Sequence, residues 1–388
     1  MQSSYKILTI SGIAVELHMT FILFFLLVLL FILAGYGISA GITAAVLIIV
    51  LFGTVLAHEL AHSLVAKRAG RAVHKITLLP IGGLASVDIP ENPREEFMIS
   101  LAGPLFNFIF AGILILIFAF AYPGMFDDYL IETVDDSIQL YVYNNSDVET
   151  DFLNISTIPN LLGTLIWINL VLGFFNLFLP AFPLDGGRVL RSLLAMQTDY
   201  VSATRYAVHI GQAIFVLMLF IGFVRGWLFW IFIALFLLVA APSELKIVKM
   251  RHYLRGHTAG DIAMKNFVHV NESTSLVEFL KTIAVPEQNF YPVTNNEEKI
   301  SGYVDLDDLR ESNKNINNYL IKDIMRTDFG KINVNSQAED ILKLIERDFV
   351  FVVNHQEHVV GFVTLSRLAK IAKFREYKTK HLKNENSK

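Results

Sequence analysis

The stretch AHELAH, residues 57–62, closes a run from Met19 to Ala57 that contains no formal charge. A run of this length and polarity is typical of membrane-spanning helices. An ionisable side chain in the hydrocarbon layer costs roughly 3 kcal/mol or more unless it is paired or faces water. Two histidines and a glutamate at the end of such a run therefore indicate a functional site in or near a membrane.

The composition also indicates a membrane protein, because 54% of the 388 residues are hydrophobic and only 18% are charged. A bilayer crossing needs about 20 predominantly apolar residues. The windows that satisfy this requirement predict about six spans and cover residues 19–57 (long enough for two), 97–126, 152–184, 206–224 and 226–243. Gly and Ser residues in AGYGISAG, residues 34–41, predict the break between the first two spans.

The distribution of charge predicts the orientation of these spans. Basic residues follow the second, fourth and sixth spans, within residues 67–75, 188–191 and 246–255, whereas residues 122–157 contain acidic residues but no Lys or Arg. The positive-inside rule places the basic segments in the cytoplasm. We therefore predict a multi-pass protein of the cell membrane with both termini and the C-terminal region in the cytoplasm.

His58, Glu59 and His62 form a His-Glu-x-x-His pattern. On a helix, residues four apart share one face, so both imidazoles can reach one metal ion while the glutamate acts on a water molecule. The chain has no cysteine, so thiolate ligands are excluded and the ligands must be His, Asp or Glu. The alternative is an ordinary cluster of polar helix residues without a metal.

A catalytic zinc ion usually has three protein ligands, and the best candidate for the third is Asp185 in NLFLPAFPLDGGRVLR, residues 176–191. Pro180 and Pro183 are expected to break the fourth span, and Gly186-Gly187 permits sharp backbone turns. We expect this arrangement to direct the aspartate toward the second span. The alternative is that Asp185 only caps the helix that follows it.

The C-terminal part of the chain contains an internal repeat with a period of about 60 residues. GYVDLDDL (302–309) matches GFVTLSRL (361–368), and DIAM (261–264) matches DIM (323–325). Each copy is predicted to run turn, strand, helix, strand, strand, helix. This pattern resembles a tandem pair of CBS domains over residues 259–373, which implies an α/β fold.

CBS pairs usually bind adenine nucleotides through a Gly-x-x-Thr-x-x-Asp element. Asp305 stands where the first copy should have Thr while Asp308 keeps the acid, and Thr364 is present in the second copy while Arg367 replaces the acid. The resemblance therefore makes Asp308 and Thr364 the candidate contacts for a nucleotide such as AMP or ATP. The alternative is a module that only packs, docks or forms a homodimer.

Four motifs together resemble the site-2 protease family of intramembrane zinc metalloproteases, in the subgroup that carries a C-terminal CBS pair. They are HELAH (58–62), LLPIGGLA (78–85), SLAGPLFN (100–107) and PAFPLDGGRVLR (180–191), in this order and followed by the CBS repeats. The resemblance implies one zinc ion per chain. The residues it assigns are the zinc ligands His58, His62 and Asp185 and the catalytic Glu59.

Asn176 is the candidate for the family's asparagine that helps to hold the reacting carbonyl oxygen. It lies one position further from Asp185 than the family spacing, and one position rotates a helical side chain by about 100 degrees. Either the proline-broken segment absorbs this rotation or Asn176 is a packing residue. Asn107 is a second candidate, whose alternative role is a hydrogen bond between helices beside Gly103.

The predicted function is hydrolysis of a peptide bond within or near a transmembrane segment of another membrane protein, with the CBS pair as a regulator. A helical substrate must unwind before it is cut, and an extended chain can pair with a strand edge, for which HKITLLPIGGLASVD (74–88) is suited. The alternative for that segment is an ordinary hairpin. The alternative for the whole protein is a CBS-regulated channel or transporter.

The predicted fold class is a polytopic α-helical membrane protein with a short membrane-associated β element, followed by an α/β tandem CBS domain. The expected partners are the lipid bilayer and a substrate transmembrane segment, and no nucleic acid is expected. The predicted parts are a transmembrane zinc protease domain 1–245, a linker 246–258, CBS repeats 259–312 and 320–373, and a basic tail 374–388.

Overall fold

A computed structural model describes residues 4–80, 82–87, 92–123, 125, 158–285, 288–311, 319–344 and 349–385. Most of the acidic segment 122–157 therefore lies outside the described residues. The chain divides into two compact units, Met1–Leu245 and Lys246–Lys388.

The first unit is built mainly from long helices. They are α1 (Met19–Arg68), α2 (Pro93–Ala121), α3 (Ile158–Phe178), the short α4 (Asp185–Ala195), α5 (Tyr200–Arg225) and α6 (Leu228–Leu254), which ends in the second unit. Among the described residues, all of these except α4 are long and apolar enough to cross a membrane. The predicted polytopic helical membrane protein is confirmed.

Helix α1 consists of two helical segments that meet at Gly37. This residue has a φ of 84° and a ψ of −178°, which only glycine adopts readily. The segments fold back on each other, since the rings of Phe21 and Phe52 meet edge to face at 4.4 Å. The break lies inside the predicted segment 34–41, so α1 supplies two apolar segments.

Helices α2 and α3 run antiparallel and bury a common apolar face. Leu114 and Phe118 of α2 pack with Ile166 of α3, while Gly173 of α3 approaches Asn107 near the other end of the contact. Small residues at such contacts let two helices come close together inside a membrane. The buried polar residues of both helices are thereby enclosed within the bundle.

A four-stranded sheet accompanies these helices. Its strands are β1 (Ser4–Ile10), β2 (Ile13–His18), β3 (Val73–Leu79) and β4 (Gly82–Val87), in the spatial order β1-β2-β3-β4. The β2-β3 pair is parallel, and the other two pairs are antiparallel. The predicted hairpin within 74–88 is therefore observed as β3-β4, but the N-terminal strands extend it into a sheet with β4 at one edge.

The second unit contains two copies of one small α/β arrangement. In each copy the first two strands pair in parallel and the last two pair antiparallel. The strands are β5 (Val270–Asn271), β6 (Phe290–Thr294) and β7 (Ile300–Asp305) in one sheet, and β8 (Lys331–Asn333), β9 (Phe349–Val353) and β10 (Val359–Thr364) in the other. The duplication predicted from the sequence is therefore present as two three-stranded sheets.

Short helices connect these strands, and a longer one follows the last strand. The α-helices are α7 (Ala259–Ile262), α8 (Leu276–Glu278), α9 (Leu306–Glu311), α10 (Ile341–Leu344) and α11 (Leu365–Glu385). A π-helical turn (Phe279–Ile283) and two 3-10 turns (Ile321–Asp323 and Ala338–Asp340) complete the set. The cores contain apolar residues from the strands and helices of both copies.

Candidate metal centre

His58 and His62 lie one turn apart in the second segment of α1. Their ring centroids are 4.7 Å apart and their planes are inclined by 80°, so the two Nε2 atoms approach each other to 3.1 Å. Both residues are buried, with exposed fractions of 4% and 7%. The two imidazoles therefore lie on one face of the helix, as their spacing of four residues predicts.

Asp185 is brought to the same point by α4. Its Oδ2 atom lies 3.0 Å from Nε2 of His58 and 3.1 Å from Nε2 of His62. The residue that caps α4 is Leu184, which makes no side-chain capping bond. Asp185 is therefore the first residue inside the helix, and its carboxylate is directed at the two histidines rather than at the helix end.

The outer nitrogen of each imidazole has its own partner in α2. Nδ1 of His62 lies 2.6 Å from the carbonyl oxygen of Ile99, and Nδ1 of His58 lies 3.1 Å from Oδ1 of Asn107. A carbonyl oxygen only accepts, so Nδ1 of His62 donates, and Asn107 can accept from His58 in the same way. Both Nε2 atoms are then available as lone-pair donors, as metal-bound histidines require.

The residues at this point fit a zinc ion. Three lone-pair atoms, Nε2 of His58, Nε2 of His62 and Oδ2 of Asp185, lie within 3.0 to 3.1 Å of one another. Ligands of a tetrahedral zinc ion, at about 2.1 Å from the metal, are separated by about 3.4 Å. Buried lone pairs this close repel one another unless a proton or a cation lies between them. Two imidazoles and a carboxylate are also a donor set that suits zinc.

Two glycines make room for these side chains. A Cβ atom on Gly103 of α2 would lie 2.6 Å from Nε2 of His58 and would also overlap Nε2 of His62. A Cβ atom on Gly83 of β4 would lie 2.5 Å from Cγ of Glu59. The glycine in α2 therefore lets that helix approach the imidazoles, and strand β4 packs directly against the half-buried Glu59.

Comparison with known proteins identifies the family of this chain. The model of peptidase family M50 matches residues 46–221, and a zinc metalloprotease of Methanocaldococcus jannaschii is 34% identical over 355 residues, covering 91% of each chain. The chain belongs to peptidase family M50. It is therefore a metallopeptidase, which confirms the resemblance to site-2 proteases and does not support the channel or transporter alternative.

Two further matches concern the separate parts of this peptidase. The CBS domain model matches residues 259–314 and 321–373, so the predicted CBS pair is confirmed. The solved structure of a site-2 protease from Methanocaldococcus jannaschii has 37% sequence identity, covers 62% of this chain and 95% of that chain, and has a TM-score of 0.43.

The glycines that follow Asp185 have a different role from the one predicted. Neither Gly186 nor Gly187 has a positive φ, and both lie inside α4. A Cβ atom on Gly186 would lie 2.5 Å from the carbonyl oxygen of Leu177, and one on Gly187 would lie 2.5 Å from the backbone nitrogen of Phe182. The prediction of sharp turns was wrong, because these glycines let α4 pack closely on the last turn of α3 and on the backbone that follows it.

The asparagine predicted to be catalytic is not among the residues in contact with the three ligand atoms. Asn176 is half-buried in α3, and its side chain makes no hydrogen bond to any described residue. Its catalytic role stays a prediction. Asn107 instead makes the hydrogen bond between helices that was its alternative role, and the partner is His58.

Sequence reasoning missed a network of buried charges close to the site. Arg191 of α4 and Glu96 of α2 form an ion pair through Nη2 and Nε of the arginine, and their exposed fractions are only 2% and 1%. Tyr200 donates a hydrogen bond of 2.9 Å to the other oxygen of Glu96, and Glu244 accepts one of 3.3 Å from Arg191. Two features of the sequence could have indicated this network. Glu96 is a charge next to the apolar run of α2, and Arg191 is a second arginine after the Asp-Gly-Gly motif.

The candidate nucleotide contacts lie in different CBS repeats. Asp308 forms an ion pair of 2.6 Å with Arg326. Oγ1 of Thr364 accepts from the backbone nitrogen of Arg367 at 3.2 Å, and the guanidinium of Arg367 donates to the carbonyl oxygen of Ile262 at 2.7 Å. The residue that replaces the expected acid therefore bonds to the protein's own backbone.

Proposed function

We propose that this peptidase is an intramembrane zinc metalloprotease, which hydrolyses a peptide bond within or near a transmembrane segment of another membrane protein. One zinc ion would be held by Nε2 of His58, Nε2 of His62 and Oδ2 of Asp185. The single observation that carries the proposal is the convergence of two buried imidazole nitrogens and a partly buried carboxylate oxygen to within 3.1 Å of one another.

The depth of the site supports an intramembrane reaction. In α2, the last charged residue before the apolar stretch is Glu96, and the two imidazoles contact this helix at Ile99, three residues further on, and at Asn107, 11 residues further on. At 1.5 Å per residue these contacts lie about 5 and about 16 Å further along the helix axis than Glu96. The hydrocarbon layer is about 30 Å thick. A site at that depth would act on chains that are themselves inside the bilayer.

The chemistry follows from the groups present. A zinc ion, when bound, supplies an activated water molecule and polarises the scissile carbonyl group. The carboxylate of Glu59 would take a proton from the attacking water oxygen and deliver it to the amide nitrogen as the carbon-nitrogen bond breaks. Asn107 and the carbonyl group of Ile99 would hold the two imidazoles in the required tautomer.

We also propose that β4 binds the substrate. Strand β4 pairs only with β3 among the described residues, and Gly83 within it contacts Glu59. An unwound substrate that adds to this edge would satisfy its own backbone groups and would lie beside the catalytic carboxylate.

A cleavage assay tests the chemistry. Wild-type protein and Glu59→Gln are incubated in detergent with a single-span substrate, before and after zinc removal by a chelator. We expect the substitution to lower the cleavage rate by about 10² to 10⁴-fold without loss of zinc. Glu95→Gln is a matched control, since the carboxylate of Glu95 bonds to Arg71 and Asn92 at a partly exposed position and contacts neither histidine. Cleavage that persists in Glu59→Gln, or in metal-free protein, would contradict the proposal.

A peptide series tests the role of β4. An extended apolar peptide that matches the substrate should inhibit cleavage, and N-methylation at alternate backbone positions removes the donors needed for pairing with a strand. We expect one of the two methylation registers to weaken inhibition strongly and the other to have little effect. Equal inhibition by both registers and by the unmethylated peptide would exclude binding at a strand edge.

The CBS pair would regulate this activity by binding an adenine nucleotide, with Asp308 and Thr364 as contacts, and would also be the site of a homodimer. Titration of the full-length protein with AMP and ATP tests this role, and Asp308→Asn should weaken the affinity. Mass measurement in detergent tests the dimer. If calorimetric titration shows no heat of binding with either nucleotide, the CBS pair is a packing module and does not bind these nucleotides.

The termini and the CBS pair would lie in the cytoplasm, as the positive-inside rule predicts. The chain has no cysteine, so single cysteines can be introduced without background. Intact cells are treated with a maleimide that does not cross membranes. We expect Ser146→Cys in the acidic segment to be labelled and Lys388→Cys to be protected until the cells are opened. The reverse labelling would overturn the orientation.

A further inference from the structure

The buried ion pair between Glu96 and Arg191 joins two helices that support the metal centre. Glu96 lies three residues before Ile99 in α2, and the carbonyl oxygen of Ile99 accepts the hydrogen bond from Nδ1 of His62. Arg191 lies six residues after Asp185 in the 11-residue helix α4. The pair therefore connects the helical turn that orients one proposed ligand with the helix that carries another.

The environment of this pair fixes its geometry closely. Two nitrogens of the Arg191 guanidinium bond to a single oxygen of Glu96, and Tyr200 occupies the other oxygen. The guanidinium carbon also lies 4.7 Å from the ring centroid of Phe182 and 5.0 Å from that of Tyr200. Contacts on several sides leave the arginine little freedom to turn, so the distance between α2 and α4 is set at this point.

Stability alone is a poor explanation for such a pair. Removing two charges from water costs free energy that their attraction often fails to recover, so apolar residues of similar size would hold the helices together as well or better. In some proteins a buried polar or ionic group instead fixes a unique alignment of the elements that carry it. The preceding residue in sequence provides a contrast, since Glu95 pairs with Arg71 at a partly exposed position, where 35% of the arginine side chain is accessible.

We infer that Glu96 and Arg191 are positioning residues, which align the Ile99 carbonyl group and the Asp185 carboxylate so that His62 and Asp185 bind one zinc ion. The inference rests on the proposed function, because it requires the zinc site. Neither residue contacts a ligand atom in the network described, and their effect is transmitted through α2 and α4.

The test measures zinc affinity rather than activity. Full-length protein is purified without metal in detergent and titrated with zinc against a fluorescent chelator, at a temperature where the metal-free protein is folded. We expect Glu96→Gln to raise the zinc dissociation constant by about 10 to 100-fold, as loss of supporting contacts around a metal site commonly does. Arg191→Lys keeps the charge but loses the two-point contact, so it should give a smaller increase.

The control is Glu95→Gln, which removes a carboxylate from the same turn of α2 and should leave the dissociation constant within about twofold. Thermal unfolding of each metal-free variant is measured in parallel. A lower unfolding midpoint with an unchanged dissociation constant would show that the pair only stabilises the bundle, and would overturn the inference. If Glu96→Gln does not fold, an unchanged dissociation constant in Arg191→Lys would overturn it equally.

The same experiment separates this inference from the proposed function. His62→Ala and Asp185→Asn should abolish tight zinc binding if the site is the one proposed. If these two variants bind zinc like wild type, the zinc site itself is elsewhere and the proposed function fails. If they lose zinc while Glu96→Gln and Arg191→Lys do not, the zinc site stands and only the positioning role fails.

Discussion

Replacement of Gly103 by alanine is the most direct test of the geometry of the metal centre. The added Cβ atom would lie 2.6 Å from Nε2 and 2.7 Å from Cε1 of His58, whereas ordinary contacts begin at 3.4 Å. The imidazole would have to retreat by about 0.8 Å. Metal-ligand distances tolerate deviations of about 0.2 Å, so the shift exceeds this tolerance about fourfold.

We expect Gly103→Ala to lower kcat/KM for a single-span substrate by about 100-fold, because a misplacement near 1 Å in an active site has an effect of this size. This loss corresponds to about 2.7 kcal/mol of transition-state stabilisation. Zinc affinity, measured by competition with a fluorescent chelator, should fall in parallel. The enzyme should remain folded, since alanine is a better helix former than glycine.

Gly112→Ala is the matched control in the same helix. A Cβ atom there would meet no atom within 4 Å, so this variant should keep full zinc affinity and activity. It should also be slightly more stable than wild type, by roughly 0.5 to 1 kcal/mol, because glycine in a helix interior is unfavourable. If Gly103→Ala bound zinc and cleaved substrate as well as Gly112→Ala, α2 would not press on the imidazoles, and the reasoning would be refuted.

Three further outcomes are expected. Asn107→Ala leaves Nδ1 of His58 without its acceptor and should weaken zinc binding by about 10 to 100-fold, whereas Asn107→Asp should retain most of the affinity; chelator competition measures both. Zinc removal should lower the midpoint of thermal unfolding, and added zinc should restore it, because a ligand that binds only the folded state stabilises it. The Ser4 hydroxyl and the Lys75 ammonium group lower the pKa of the Glu16 carboxyl below its usual 4.5. The ionised Glu16 therefore stabilises the folded protein above pH 4.5, and this stabilisation is lost as the pH falls through the lowered pKa. Unfolding midpoints between pH 7 and pH 3 should therefore fall less for Glu16→Gln than for wild type, and parallel curves would contradict this.

The local parts of the structure could be predicted from the sequence. Long apolar runs define the helices, and the spacing of His58 and His62 places them on one helical face whatever surrounds them. The break of α1 at Gly37 and the end of α3 before Pro180 also follow from residues within the segments concerned. In each case the information lies within a few positions of the feature.

The remaining features depend on contacts between distant parts of the chain. Residues 14–17 pair in parallel with residues 75–78, and no periodicity within either segment identifies the other as its partner. The pairing of Glu96 with Arg191 and of Asn107 with His58 likewise requires the packing of α2 against its neighbours. For the same reason, spacing from Asp185 could not show which asparagine contacts the metal centre.

The edge of β4, which has no second partner strand among the described residues, would have a consequence for the range of proteins that this enzyme can cut if substrates bind there as proposed. Main-chain pairing recognises amide groups, which every polypeptide has, and so it discriminates little between amino-acid sequences. The main obstacle for a candidate chain is then the free energy needed to pull a few residues out of their helix. Chains with Gly, Pro or Asn in the transmembrane segment close to the cleaved bond start with weaker helices and should be cut first. Selection among substrates would thus be governed by how easily their helices unwind rather than by contacts between their side chains and the enzyme.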